Sequence, residues 1–433
     1  MKPEIKKVEF TLSEAKHFAT EVVERLRAAG YVALWAGGCV RDLLMGNEPH
    51  DYDVATAATP QQVRELFGFR RTLMVGAAFG VVIVKGSSKL QAQVEVATFR
   101  TDSSYTDGRR PDRVTFSTPE KDAQRRDFSV NGMFFDPITE EVIDYVGGRE
   151  DLRAGLIRAI GDPHARLAED KLRMLRAVRF AARFGFAMEP ETEAAIKAHA
   201  SETALVSGER VAVELRKTLE THQAAWAVEK LHETGLLQVI APEVDASWEA
   251  TSESILALVR RCNDGGWLAR AAAIHWPAAR DGQDVKQIVA ALKHRLKLAN
   301  DEADAIQFAL ETQAVLEHAS KLPWSRVQPL LVKPHIEVAV ALVDARQALE
   351  PKLAEELSWL RERLDWSAEK LNPAPLLDGQ DLQKAGLKPS PQFRLILQEA
   401  RDLQLDGQLL DQEAAGVWLE ARKGAKSHDQ KHA

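Results

Sequence analysis

Asp51 and Asp53 flank Tyr52 in HDYDV, and a double glycine, Gly37 and Gly38, stands ahead of them in AGGCVRDLL. In a strand, residues two apart point to one face, so the two carboxylates project together and Tyr52 turns away. Side by side they repel each other unless a cation sits between them. Magnesium takes hard oxygen ligands and bridges carboxylates to substrate phosphates. Two such ions stabilise the attacking and leaving oxygens of an in-line phosphoryl displacement. The glycines fit the other half of that chemistry, because bare backbone at a helix start admits phosphate oxygens to free N–H groups. Arg41, one turn into that helix, adds a charge-assisted donor for the same phosphates. Taken singly, a double glycine is commonly a turn and D-x-D a solvated loop. In this order and spacing they describe a site that holds a nucleoside triphosphate against Mg2+.

Two further constellations bear on the same substrate. RRDFSVN, Arg125 to Asn131, combines two cations, a carboxylate and an amide. Its arginines suit phosphates, and Asp127 and Asn131, at i and i+4, would share a helix face and reach sugar hydroxyls. The alternative is a capping Asp among surface arginines. In EDKLRMLRAVRF, Asp170, Arg173, Arg176 and Arg179 recur every three residues beside an apolar stripe of Leu172, Leu175 and Val178. Such a row of arginines repels itself unless something anionic or acceptor-rich faces it; otherwise it is a solvated helix face. A carboxylate next to a guanidinium matches the amino donor and ring-nitrogen acceptor that cytosine and adenine both present. Uracil and guanine present the reverse and would leave both side chains unpaired, at about 1–3 kcal/mol for each buried group.

The elements that must position these residues alternate through about residue 160. Strands are expected at 31–36, 51–55, 80–84 and 92–98, and helices at 12–29 and 60–67. RTDSSYTDGRRPDRVTF, from Arg100, has turn formers and charges with little apolar periodicity and reads as a loop. DYVGGREDL, Asp144 to Leu152, reads as a tight structural bend. Beyond residue 160 the pattern is helical almost throughout, including one helix over 164–185 carrying the arginine row. The class is therefore α+β followed by helices. Expected divisions are a catalytic head at 1–160, a neck with the nucleotide-selecting helix at 161–222, a helical body at 223–320, a helical tail at 321–422 and a disordered polar end at 423–433.

The composition is that of an ordinary soluble globular chain of 433 residues, with a net charge of −7 that does not advertise nucleic-acid binding. A balanced total can still hide a basic face. No apolar run suits a membrane span or a secretory signal. Cys39 and Cys262 cannot build a disulfide framework, which suits a reducing cytoplasm.

GGCVRD with DYD, RRDFSVN, DYVGGREDL, EDKLR, ERVAVELRKTL and, late in the chain, LLDGQDLQKAGLKPSPQFRLILQEARDLQLDGQL occur in that order. In these motifs the chain resembles the bacterial class II tRNA nucleotidyltransferase and poly(A) polymerase family, over about residues 20 to 420. The resemblance implies a polymerase-β-type head of mixed sheet and helices, followed by an elongated all-α neck, body and tail. It implies metal binding by Asp51 and Asp53 with Glu95 as a third carboxylate. Gly38 and Arg41 would contact the triphosphate, with Arg126 assisting. Asp170 and Arg173 would read the base, with Arg176 and Arg179 completing the pocket. The implied reaction is template-independent addition of CCA to the tRNA 3′ end from CTP and ATP. The acceptor stem and elbow would be gripped by the helical region, with no membrane and no protein partner. An A-adding enzyme, a poly(A) polymerase and a catalytically silent RNA-binding protein are the alternatives. The loop at 100–113 favours CCA addition, since relatives that add only CC tend to lack it. Two departures stand out: Trp276 follows His275 where relatives with a phosphohydrolase domain carry Asp, so that activity is not expected, and Ser390 replaces a usual glycine.

Overall fold

A computed structural model describes residues 14–429 apart from 77–79, 87–92, 103–113 and 263. The chain divides into two compact units, Met1–Ala246 and Ser247–Ala433. The first is α+β and the second helical.

The first unit is built on a sheet of seven strands: β1 (Ala33–Ala36), β2 (Asp53–Thr56), β3 (Thr72–Gly76), β4 (Val81–Val84), β5 (Val94–Thr98), β8 (Phe134–Asp136) and β9 (Glu141–Ile143). Their order is β3-β4-β5-β2-β1-β8-β9. Only β2 and β5 run parallel, with Val54 opposite Val96; the other pairs are antiparallel. Between them, β6 (Arg100–Asp102) and β7 (Val114–Phe116) form a separate hairpin. The four strands read from sequence match β1, β2, β4 and β5. Of the others, β6, β7, β8 and β9 have three residues each, too brief for alternation to stand out, while β3 has five.

Helix α1 (Glu14–Ala28) buries Phe18, Val22 and Leu26. Helix α2 (Gly38–Leu44) leaves β1, and α3 (Pro60–Phe67) starts at a Thr59–Gln62 capping box. Leu34, Ala36, Ala55, Phe99, Ala123 and Phe134 form a buried cluster of this unit. Then come α4 (Pro119–Gln124), α5 (Gly148–Ala154), α6 (Pro163–Glu169), α7 (Leu172–Phe184), α8 (Pro190–His199), α9 (Gly208–Leu219) and α10 (Ala224–Glu233). This unit thus holds the head together with the stretch expected as neck, and runs on to Ala246.

DYVGGREDL is the bend expected of it. Asp144 accepts from the N–H groups of Val146, Gly148 and Arg149, tying the turn to the start of α5. A Cβ on Gly148 would stand 2.2 Å from the Ser129 carbonyl oxygen and 2.8 Å from Met133 Cγ. Gly148→Ala is therefore expected to destabilise the protein by about 2–3 kcal/mol, read as a lowered thermal midpoint. An unchanged midpoint would mean that this approach is not needed.

The second unit packs helices from Trp248–Arg261 to Gln412–Asp429. His275 is buried inside Gly266–Arg280, its Nδ1 2.8 Å from the Ala271 carbonyl. Trp276 lies under the Arg346 guanidinium at 4.2 Å. Arg346 is itself buried, bonded to Gln313 and paired with Glu317 and Glu350. Leu382, Ile396, Ala400, Leu409, Ala415 and Leu419 make a separate small core near the end. The polar end expected to be disordered from 423 is helical through Asp429, continuing the helix that starts at Gln412. Residues 430–433 lie outside the described residues. No helix of the described residues is long and apolar enough to cross a membrane.

Candidate active site

A cleft of about 560 Å³ in the first unit is lined by Gly37, Gly38, Arg41, Asp51, Asp53, Arg126, Asp127, Asn131, Asp170, Arg173, Arg176 and Arg179. Those are the residues singled out from sequence, with Glu95 excepted. Residues from α2, β2, the turn after α4, and α7 meet there, although they are more than a hundred positions apart in the chain.

Gly37 closes β1 with φ 75°, a left-handed conformation that a side chain adopts at a cost. A Cβ there would also come within 2.9 Å of Arg126 Nη1. Arg41 donates to Asn131 Oδ1 and, through Nη2, to Asp42 at 2.7 Å. Its guanidinium lies 4.4 Å from the Phe184 ring, which holds it at the cleft.

Asp53 opens β2 opposite Ala36, while Asp51 lies just before the strand. Tyr52 is turned inward against Trp35, with ring centroids 4.8 Å apart. The carboxyl of Asp53 is pushed up to about 6, by burial first and then by the charges of Asp51 and Glu95. A carboxyl crowded by like charges that holds its proton this strongly fits a site for a divalent cation. Glu95, on β5 opposite Ile83 of β4, is near enough for its charge to raise Asp53, although it does not line the cleft. Among the described residues no three His, Cys, Asp or Glu are grouped to hold a metal.

RRDFSVN does not form the α-helix expected for it. Helix α4 ends at Gln124, and a single 3-10 turn covers Ser129–Asn131. Phe128 is extended there and its ring packs inside. The turn still brings the pair together: Asn131 Nδ2 donates to Asp127 Oδ1 at 3.2 Å. Asp127 Oδ2 accepts from Arg176 Nε at 2.9 Å and Nη2 at 2.6 Å. Burial alone would raise the Asp127 carboxyl, but Arg176, Asn131 and the Phe128 N–H hold it down at about 2. It stays ionised at any working pH. Asp122, buried on α4, pairs with Arg125 at 2.8 Å and Arg126 at 3.0 Å and aims both guanidinia.

The helix expected over 164–185 is broken. Helix α6 stops at Glu169, Asp170 is extended at φ −144°, and α7 restarts at Leu172. Asp170 therefore does not continue the arginine row. It accepts from the Leu172 N–H, starting α7, and from Arg210 Nη2 at 2.7 Å. Arg173 meets Glu169 at 2.5 Å and the Arg166 carbonyl at 2.9 Å. Arg179 meets the buried Glu214 at 2.5 Å. Leu172, Leu175 and Val178 are buried as the apolar stripe required.

Arg125, read from RRDFSVN as a phosphate contact, also lines the cleft; sequence reasoning missed Asp122, Arg210 and Glu214, together with Phe180 and Arg183 on the cleft wall. Arg210 and Glu214 lie in ERVAVELRKTL, where spacing by four on one helix face was the available signal.

Comparison with known proteins gives a consistent picture. Residues 33–158 match the poly A polymerase head domain, and residues 185–247 the probable RNA and SrmB-binding site of polymerase A. The CCA-adding enzyme of Levilactobacillus brevis is 33% identical over 413 residues, spanning 94% of this chain and 98% of that protein. That of Geobacillus stearothermophilus is 43% identical over 219 residues, 50% of this chain and 53% of its own. The crystal structure of the Bacillus stearothermophilus CCA-adding enzyme in complex with CTP superposes with TM-score 0.73 at 28% identity, covering 96% of this chain and 100% of that one.

Proposed function

Because the chain belongs to the family of CCA-adding enzymes, we propose that it completes tRNA 3′ ends with C, C and A from CTP and ATP, releasing pyrophosphate without a template. The observation that carries the reading is one cleft faced by the Asp51–Asp53 pair, the arginines Arg41 and Arg126, and the Asp170–Arg173 segment.

We assign the roles as follows. Arg41, Arg126 and the bare backbone of Gly37 and Gly38 bind and orient the triphosphate. Asp127 and Asn131, locked to each other and to Arg176, present oxygens and an amide to the sugar. Asp170 and Arg173 read the base edge, with Arg176 and Arg179 closing the pocket. Asp51 and Asp53 hold divalent ions, for which we propose Mg2+. When bound, these lower the pKa of the attacking 3′ hydroxyl and screen the leaving group. The loop that favours CCA addition lies outside the described residues from 103 to 113. Both cysteines are free and buried, in keeping with a cytoplasmic enzyme.

The test uses three tRNA transcripts, ending before CCA, after C and after CC, each incubated with enzyme, Mg2+ and CTP, ATP or both. All three are expected to be completed to CCA and then to arrest, read at single-nucleotide resolution. Addition of one A to the CC-ended transcript alone would mean an A-adding enzyme, and long A ladders a poly(A) polymerase.

A further inference from the structure

A second cleft, of about 530 Å³, adjoins the first and shares Arg179 and Arg183 with it. Its remaining walls are Lys217, Glu220, Thr221 and His222, from the end of α9 and the residues after it.

The position of this cleft along α7 is informative. Arg173, proposed to read the base, is on the first turn of that helix, and Arg183 is on the last. At 1.5 Å per residue the two are about 15 Å apart along the axis. Arg183 lies instead at the phosphate end. Its guanidinium is 5.3 Å from the Phe184 ring, and that of Arg41 is 4.4 Å from the same ring. The two cations are close enough that Arg183 helps to lower the Arg41 pKa, behind burial and against the pull of Asp42.

The cations lining the two clefts differ among themselves in their partners, and two of them, Arg179 and Arg183, line both. Arg41, Arg126, Arg176 and Arg179 are each bonded to a carboxylate. Among the described residues Arg183 and Lys217 have no acidic partner, and both are exposed. Glu220 is the only carboxylate on this wall, and the Thr221 hydroxyl donates to the Thr218 carbonyl. An unpaired Arg–Lys pair beyond the phosphate end suits a compact polyanion that has just lost its bond to the nucleotide.

We propose that this second cleft receives the pyrophosphate released at each addition, with Lys217 and His222 as contacts beyond the nucleotide site. The inference rests on the functional reading above, because it takes the Arg41 end of the first cleft as the phosphate end. An RNA backbone is the competing occupant.

The experiment compares the full-length protein with the Lys217→Ala/His222→Ala double variant, with Lys217→Arg as a check on charge. The inhibition constant of pyrophosphate against CTP incorporation is expected to rise about tenfold in the double variant. Pyrophosphorolysis of CCA-ended tRNA should slow in parallel, while KM for CTP and ATP stays within about twofold. Lys217→Arg should behave as the unmodified protein. An unchanged inhibition constant would overturn the proposal, and a raised KM for tRNA in its place would make the cleft an RNA contact. Calorimetric binding of pyrophosphate, measured without nucleotide or RNA, keeps the two readings apart. If the protein failed to add CCA yet bound pyrophosphate through Lys217, the functional reading would fall and the cleft would stand.

Discussion

Asp53→Ala is expected to lower incorporation of both CMP and AMP by about a thousandfold or more, with tRNA affinity changed less than about twofold. The carboxylate stands at the mouth of β2 beside Asp51, away from the apolar core, so its loss removes charge and leaves the sheet intact. Asp53→Asn, which keeps the shape, should be equally inactive. Single-turnover incorporation and filter binding separate chemistry from RNA affinity. Retained turnover in either variant would sink the metal assignment. A pH signature accompanies this. With its carboxyl at about 6, Asp53 is mostly protonated below that pH and cannot hold a cation. Activity should fall as pH drops through 6, and the midpoint should move lower as divalent metal is raised, because metal and proton compete for one group. The stability of the metal-free protein should respond with the opposite sign. The folded-state value lies above the unfolded one of about 4, so the native state binds the proton more tightly and gains stability as pH falls from 6 towards 4. Asp53→Asn should remove both effects.

Nearly all of this site was legible in the chain because its residues sit in short local motifs. Asp51 and Asp53 share a strand mouth, Gly37 and Gly38 a strand end, and Arg173, Arg176 and Arg179 a helix face. Local periodicity reports such relations directly. What was not legible is how the motifs hold one another. Asp127 binds Arg176 across 49 positions, Asp170 binds Arg210 across 40, and Arg179 binds Glu214 across 35. No spacing rule reaches that far. The two wrong helices share a cause. In RRDFSVN and at Asp170 an apolar or acidic side chain is needed elsewhere, inward for Phe128 and towards Arg210 for Asp170, and the backbone leaves the helix to deliver it. Parallel pairing of β2 and β5 brings the strand of Glu95 beside Asp53, and its charge reaches that carboxyl although Glu95 does not line the cleft.

Arg173→Ala is expected to raise UTP misincorporation relative to CTP by about 10–100-fold. Cytosine and adenine both offer an amino donor beside a ring-nitrogen acceptor, which Asp170 and Arg173 can satisfy together. Uracil offers a carbonyl and an N–H, leaving each side chain facing its own kind. In this geometry the two readers are anchored separately, Asp170 by Arg210 and Arg173 by Glu169 and the Arg166 carbonyl. Neither is free to swing away from a mismatched base, so the mismatch costs buried hydrogen bonds rather than a rotamer change. Removing Arg173 deletes one of the two unpaired groups that a uracil would meet and halves that penalty. It also deletes a bond to cytosine and adenine, so kcat/KM for CTP and ATP should fall together. General loosening of the fold would lower all four nucleotides alike. The ratio of UTP to CTP turnover is therefore the decisive readout, and Arg173→Lys, which keeps a charge without the planar fork, should fall between the two. Rejection of UTP as strict as before would place base selection in other residues.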